Sequence, residues 1–338
     1  MLNAPARLAT SFLVLILLLL PAARAGGQAP GRKVAWRVVA DLPLPGRAAR
    51  FDYQSLDATT GWLWIAHMGA GEVVAVDVRS RRVVARVAGM PGATGVLAVP
   101  SLARVFVALS GSHMVAVLDA GTGRLLRRMP GGRFPDGLAY AAAAHKLFVS
   151  DEYGRQELVL DLASLTPRPP IPMGGEVGNT QYDSAAGLIW AAVQSRNEVV
   201  ALDPVADSIV GRVAVAGVDR PHGLLLDSAH RLAYVAGEGN ARLGVLDLRT
   251  RRLVGTYSVP EEPDVLALDP ERHLLYVAAE SGAVAAFDIR GDSLVSLPAY
   301  RTPHAHSVAV DPATHLVYLP LEDVGGGPVL RVLMLEER

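Results

Sequence analysis

Three aspartates and two histidines recur at one register position of a repeating chain: Asp52, Asp136, His222, Asp264 and His306. In two further copies the place falls on Thr94-Gly95 and Gly178-Asn179. Aspartate is disfavoured in strands, so strand propensity does not explain the recurrence. Carboxylate and imidazole together suit zinc or a similar divalent ion, and Asp136, His222, Asp264 and His306 are the expected ligands. A second set, His67, Asp151-Glu152, Gln194, Glu238, Glu280 and Glu322, ends neighbouring strands on the same face. Within it, Glu238 or Glu280 would be the general base if the site does chemistry. Arg50, Arg133, Arg220 and Arg301 stand just ahead of inner positions. A guanidinium fork there could grip an anionic group, so the expected ligand is small and polar or anionic. The same residues also fit a water-filled channel mouth, in which acids pair with arginines and aspartates cap turns.

What must position these side chains is a repeat. The stretch from Arg220 to Val259 holds four short apolar runs separated by turn residues, the pattern of a four-stranded antiparallel meander. Apolar markers near the start of the second run fall at Trp62, Val105, Leu147, Leu188, Leu232, Leu274 and Leu316. Their spacings are 43, 42, 41, 44, 42 and 42 residues. A period of about 40–45 residues with four strands per unit is that of propeller blades of the WD40-like kind. The sequence therefore predicts an all-β, seven-bladed propeller. The segment 34–44 has the pattern of a fourth strand and precedes the first blade, while the chain ends on 329–335, which has the pattern of a third strand. The early segment should close the last blade and remove an open sheet edge. Trp62, Trp64 and Trp190 fall in second strands and are expected to pack between blades.

The repeat resembles the YVTN family of bacterial propellers, the YncE-like proteins. The matching stretches are Leu232-Ala-Tyr-Val-Ala with Leu243-Gly-Val-Leu-Asp-Leu, Leu274-Leu-Tyr-Val-Ala with Val284-Ala-Ala-Phe-Asp-Ile, and Leu316-Val-Tyr-Leu. The Thr-Asn that follows Tyr-Val in the family is absent: Tyr234-Val is followed by Ala-Gly and Tyr276-Val by Ala-Ala. The resemblance implies the fold and an exported binding protein.

Residues 1–25 read as a secretory signal peptide: Arg7, a short apolar core from Ser11 to Leu20, and Ala23-Arg24-Ala25 as the cleavage site. Residues 26–32 read as a linker and 33–338 as the propeller. The expected location is periplasmic or secreted, with no membrane span after cleavage and a monomeric mature protein. The chain has no cysteine, which excludes disulfides, thiolate metal sites and a cysteine nucleophile. Its net charge is -1, and losing Arg7 and Arg24 with the leader lowers it by two. A chain so near neutral offers no global field for nucleic acid. Arginine clusters at 79–82, 124–128 and 249–252 lie at turns on the opposite face and read as solvated hairpins, or else as a dock for an acidic partner protein.

Two functional classes follow. One is a ligand- or partner-binding protein that uses the channel mouth. The other is a metal-dependent lactonase or lyase of the propeller type using the same ring, which would need an open metal position and a nearby acid or base.

Overall fold

Seven antiparallel sheets of four strands are arranged as the blades of a propeller. The computed structural model describes Met1 and residues 32–338. The expected leader and the linker up to residue 31 lie outside the described residues. No helix among the described residues is long and apolar enough to cross a membrane.

Blade one consists of Gln54–Asp57, Trp62–His67, Glu72–Asp77 and Arg82–Ala88, paired in that order from the axis outward. The next five blades repeat the meander over 93–130, 135–172, 177–214, 221–258 and 263–301. In the third, the outer strand is split into Thr166–Pro167 and Ile171–Pro172, which pair separately with Gln156–Asp161. Proline cannot donate to a ladder, so this strand survives only as the free edge of its blade.

The seventh blade is made from both ends of the described chain. Val34–Pro43 is its outermost strand and pairs with Val329–Glu337, from Val34 opposite Glu337 to Pro43 opposite Val329. Trp36 anchors this strand. Its indole N–H donates to the Pro298 carbonyl at 2.7 Å, and its ring lies 5.7 Å from those of Tyr276 and Tyr300.

Between blades the core is aromatic at one repeated place. The third residue of each second strand is Trp64, Phe106, Phe148, Trp190, Tyr234, Tyr276 or Tyr318, and all seven are buried. Burying one such ring contributes about 2–3 kcal/mol before entropy is counted. These positions are 42 residues apart except for one interval of 44. The second strands of blades two and three begin at Arg104 and Lys146, one residue before the apolar markers Val105 and Leu147. The 43- and 41-residue spacings read from those markers therefore become 42 in the structure, and the interval of 44 remains.

On the face opposite the site, aspartates end the first and third strands and close the hairpins. Asp57, Asp77, Asp203 and Asp247 each accept backbone N–H groups two and three residues on. This is the Asx-turn chemistry of short polar side chains. His230 and His315 serve the same turns, with Nδ1 at 2.8 Å from Asp227 and 2.9 Å from Asp269.

Candidate functional site

In blades two to six the innermost strand carries the recurring position on a bulge, while Asp52 and His306 stand just ahead of the inner strands of blades one and seven. Pro135 pairs with Asp151 and Leu138 with Val149, so Asp136-Gly137 together oppose Ser150 alone. The same two-against-one arrangement sets Thr94-Gly95 against Ala108, Gly178-Asn179 against Ala192, His222-Gly223 against Ala236 and Asp264-Val265 against Ala278. A β-bulge bends its strand and redirects a side chain. Here it turns the first bulge residue of each of these five blades toward the axis. Glycine follows that residue in blades two, three and five because the inner strands nearly touch: a Cβ on Gly137 would lie 2.9 Å from the Thr180 nitrogen in the next blade. Gly178 holds the equivalent place in blade four, so that blade contributes no side chain there.

Asp52, Asp136, His222, Asp264 and His306 converge at one channel mouth, each less than a tenth exposed. Asp264 lies between the two imidazoles: Oδ1 is 3.4 Å from Nε2 of His222, and Oδ2 is 3.4 Å from Nε2 of His306. Around His222, Asp136 Oδ2 lies 3.6 Å from Nε2, Glu238 Oε1 lies 3.8 Å from Nδ1, and the Tyr53 hydroxyl lies 3.4 Å from Nε2. Around His306, Asp52 Oδ1 is 3.5 Å from Nε2 and Glu280 Oε1 is 3.3 Å from Nδ1. A cavity of about 180 Å³ opens over the ring. Its walls include Asp136, Glu152, His222 and Glu238, with Phe134 and Tyr153 at the rim, their rings 4.7 Å apart.

This packing sets the charge states. Burial works against protonation of His222, but Asp264, Glu238, Asp136 and Glu152 outweigh it and hold the imidazole up at about 9. Burial likewise opposes the charge on His306, and hydrogen bonds to Asp52 and Glu280, with the Asp264 charge, raise it to about 10. Asp136 is pushed well above the carboxylate range by burial and by Asp52, Glu152 and Asp264, against the pull of His222. The two candidate bases differ. Hydrogen bonding from His306, then from Arg50, takes Glu280 down to about 2 despite burial, whereas burial raises Glu238.

Other residues singled out in the sequence lie elsewhere. His67 is fully buried against Phe51, with ring centroids 4.0 Å apart, and faces Glu72. It lies beneath the chain entering blade one, where a Cβ on Gly46 would sit 2.9 Å from its Cε1. Burial lowers its pKa. Of the four arginines, Arg50 reaches the ring, donating at 2.7 Å to Glu280 and lying 3.2 Å from Nε2 of His306. Arg220 turns instead to Gln194 and Glu176. Arg133 donates to the Tyr153 carbonyl, and Arg301 is exposed. Glu322 faces His304 at 3.5 Å, and Glu152 accepts from Gln194 at 3.2 Å. Phe134 and Tyr153 complete the cavity walls, and the Tyr53 hydroxyl meets His222, without any repeat pattern of their own. The signal available for the bulge was the glycine after Thr94, Asp136 and His222.

Carboxylates outnumber the cations around this mouth, so it favours positive charge. Two groups have donor atoms that all lie within 4.8 Å of one another, the spread a metal ion can bridge: Asp52, Asp264 and His306, and His222, Glu238 and Asp264. Mixed nitrogen and oxygen donors of this kind fit a divalent transition metal.

No protein-family model matches the chain. Over 154 residues it is 25% identical to the uncharacterized protein YncE of Salmonella typhimurium, a match covering 44% of this chain and 42% of that protein. Together with the seven-bladed ring, this makes the chain a β-propeller with a partial likeness to YncE. The match spans less than half of either protein, so what it supports is a likeness of fold. Among solved structures, this propeller is similar to Kuenenia stuttgartiensis hydrazine synthase, with a TM-score of 0.71 and 14% identity over 87% of this chain and 96% of that one. It is also similar to streptogramin B lyase, with a TM-score of 0.73 and 12% identity over 89% and 98% of the two chains. At these identities the likeness is one of architecture, which hosts many functions.

Proposed function

We propose that this propeller is an exported binding protein whose channel mouth holds one divalent metal ion on His222, Glu238 and Asp264, with Asp136 beside them. The observation that carries the reading is where unpaired buried atoms gather. Asp136 Oδ2, Asp264 Oδ1 and His222 Nδ1 are all buried without a hydrogen-bond partner, the two oxygens on the Nε2 side of the His222 ring and Nδ1 toward Glu238. Orphaned buried polar groups are costly, and a cation held among these ligands would satisfy the carboxylate oxygens. Bound there, a divalent ion would supply a Lewis-acidic centre facing the 180 Å³ cavity, where a small polar ligand fits. An acidic mouth with a single engaged arginine supports a cation before it supports an anion.

The test is equilibrium dialysis of the purified protein against Zn²⁺ and Mn²⁺ with elemental analysis. Saturable binding that disappears in His222→Ala, with thermal unfolding unchanged, is the expected result. No retained metal, or equal retention in the variant, would sink the reading.

A second reading, a metal-dependent lactonase or lyase, has one observation in its favour: Glu238 is raised by burial and stands beside His222. It is the better placed of the two glutamates to take a proton, because Glu280 is engaged by Arg50. Glu238→Gln distinguishes the classes, since turnover of a lactone panel would vanish in it if the site is catalytic.

A further inference from the structure

We infer that Arg50 is a built-in cation that keeps a second metal-competent cluster closed, so that the mouth takes one metal ion where its ligands could hold two. This rests on the metal reading above. The two halves of the ring are nearly alike in ligands. Each has one histidine, one further carboxylate and a share of Asp264, whose two oxygens face the two imidazoles at the same 3.4 Å.

They differ in what stands beside them. In the blade-seven half, the Arg50 guanidinium is held by Glu280 at 2.7 Å and lies 3.2 Å from Nε2 of His306. That nitrogen also faces Asp52 and Asp264, so it is the one a metal between these ligands would need. In the blade-five half, no arginine or lysine among the described residues lies within ion-pair distance of His222, Glu238 or Asp264.

The asymmetry has a local cause. Arg50 and Arg220 occupy the same place, two residues before Asp52 and His222. The Arg220 backbone is left-handed, at φ 49°, and its side chain goes to Gln194 and Glu176. Arg50 has no such turn, and its guanidinium reaches inward. Arginine stays charged at any working pH, so the blade-seven half keeps a fixed cation, while the blade-five half has only its own imidazole, which a metal ion from solution can replace as the counter-charge.

Metal stoichiometry tests this directly. Mn²⁺ titration by calorimetry, with electron paramagnetic resonance of the loaded protein, should give one ion per chain and an isolated-ion spectrum for the natural protein. Arg50→Met should give two ions and a spectrum broadened by coupling, and Arg50→Lys should stay at one. Adding His306→Ala to Arg50→Met should return the count to one. If Arg50→Met does not fold, Arg50→Gln is read by the same two measurements. Two ions in the natural protein, or one in a folded charge-removing variant, would overturn the inference and leave single-metal binding standing. No ion in any of these proteins would overturn the metal reading and this inference with it.

Discussion

Gly223 packs against the backbone carbonyl of Asp264 so closely that a methyl group on it would lie 3.0 Å from the carbonyl carbon and closer still to the oxygen. One ring residue is thus seated by the glycine that follows another. Gly223→Ala should push Asp264 away from His222. Overpacking of this kind typically costs about 1–3 kcal/mol. The denaturation midpoint should fall and metal affinity should drop with it. A variant as stable and as tight as the natural protein would show that the inner strands are not in contact there.

The ring can also be divided by mutation. Glu322→Gln and Arg301→Ala should leave metal affinity unchanged, because Glu322 faces His304 and Arg301 is exposed. Asp136→Asn should weaken it, since Asp136 flanks His222. Among metals, Zn²⁺ should bind more tightly than Ca²⁺, because imidazole is a poor ligand for a hard cation. A calcium-selective site would argue for carboxylates alone.

Glu157 makes stability depend on pH. It is fully buried between blades three and four, where the equivalent residues are Val73, Val115, Val199 and Leu243. Burial raises it to about 8; the Thr180 hydroxyl opposes this and the Asp151 charge adds to it. An unfolded glutamate titrates near 4.3, so between that pH and about 8 the native state binds the extra proton. Stability from this group is therefore full at acid pH and is lost as pH rises, by up to about 1.4 kcal/mol per pH unit, levelling off above the folded pKa. Glu157→Gln should flatten the profile and gain most at alkaline pH. Parallel profiles for the two proteins would contradict the burial argument.

Removing residues up to Leu44 deletes the closing strand and with it the Trp36 anchor. The exposed Val329–Glu337 edge should then pair between molecules, read as aggregation by light scattering. A soluble truncation with the same melting temperature would mean that closure contributes little.

We propose that the leader is cleaved after Ala25. Intact mass of the exported protein should correspond to a chain starting at Gly26, and a mass that retains residues 1–25 would place the protein on a membrane anchor instead.

The fold was legible because a propeller writes one pattern seven times. Short apolar runs and Asp-capped turns recur near every 42 residues, so an error in one blade is corrected by the others. The closing strand was legible for the same reason, through its likeness to other fourth strands. Side-chain direction was harder to read. Arg50 and Arg220 look equivalent in sequence, yet a left-handed turn at Arg220 sends one outward. His67 matches an acidic set by position and is buried under Gly46 by a segment that belongs to no repeat. Glu157 breaks an apolar pattern singly, and a periodic reading averages over such exceptions.

The pairing of Val34 with Glu337 has a mechanical consequence. The two residues at which the described chain enters and leaves the ring are neighbours on adjacent antiparallel strands. Tension between them would peel the ladder open one rung at a time, the geometry of a zipper, and would not load many hydrogen bonds together in shear. The ring would thus yield to a small pulling force at this one seam, with blade seven opening first and the other six following only once the circle is broken.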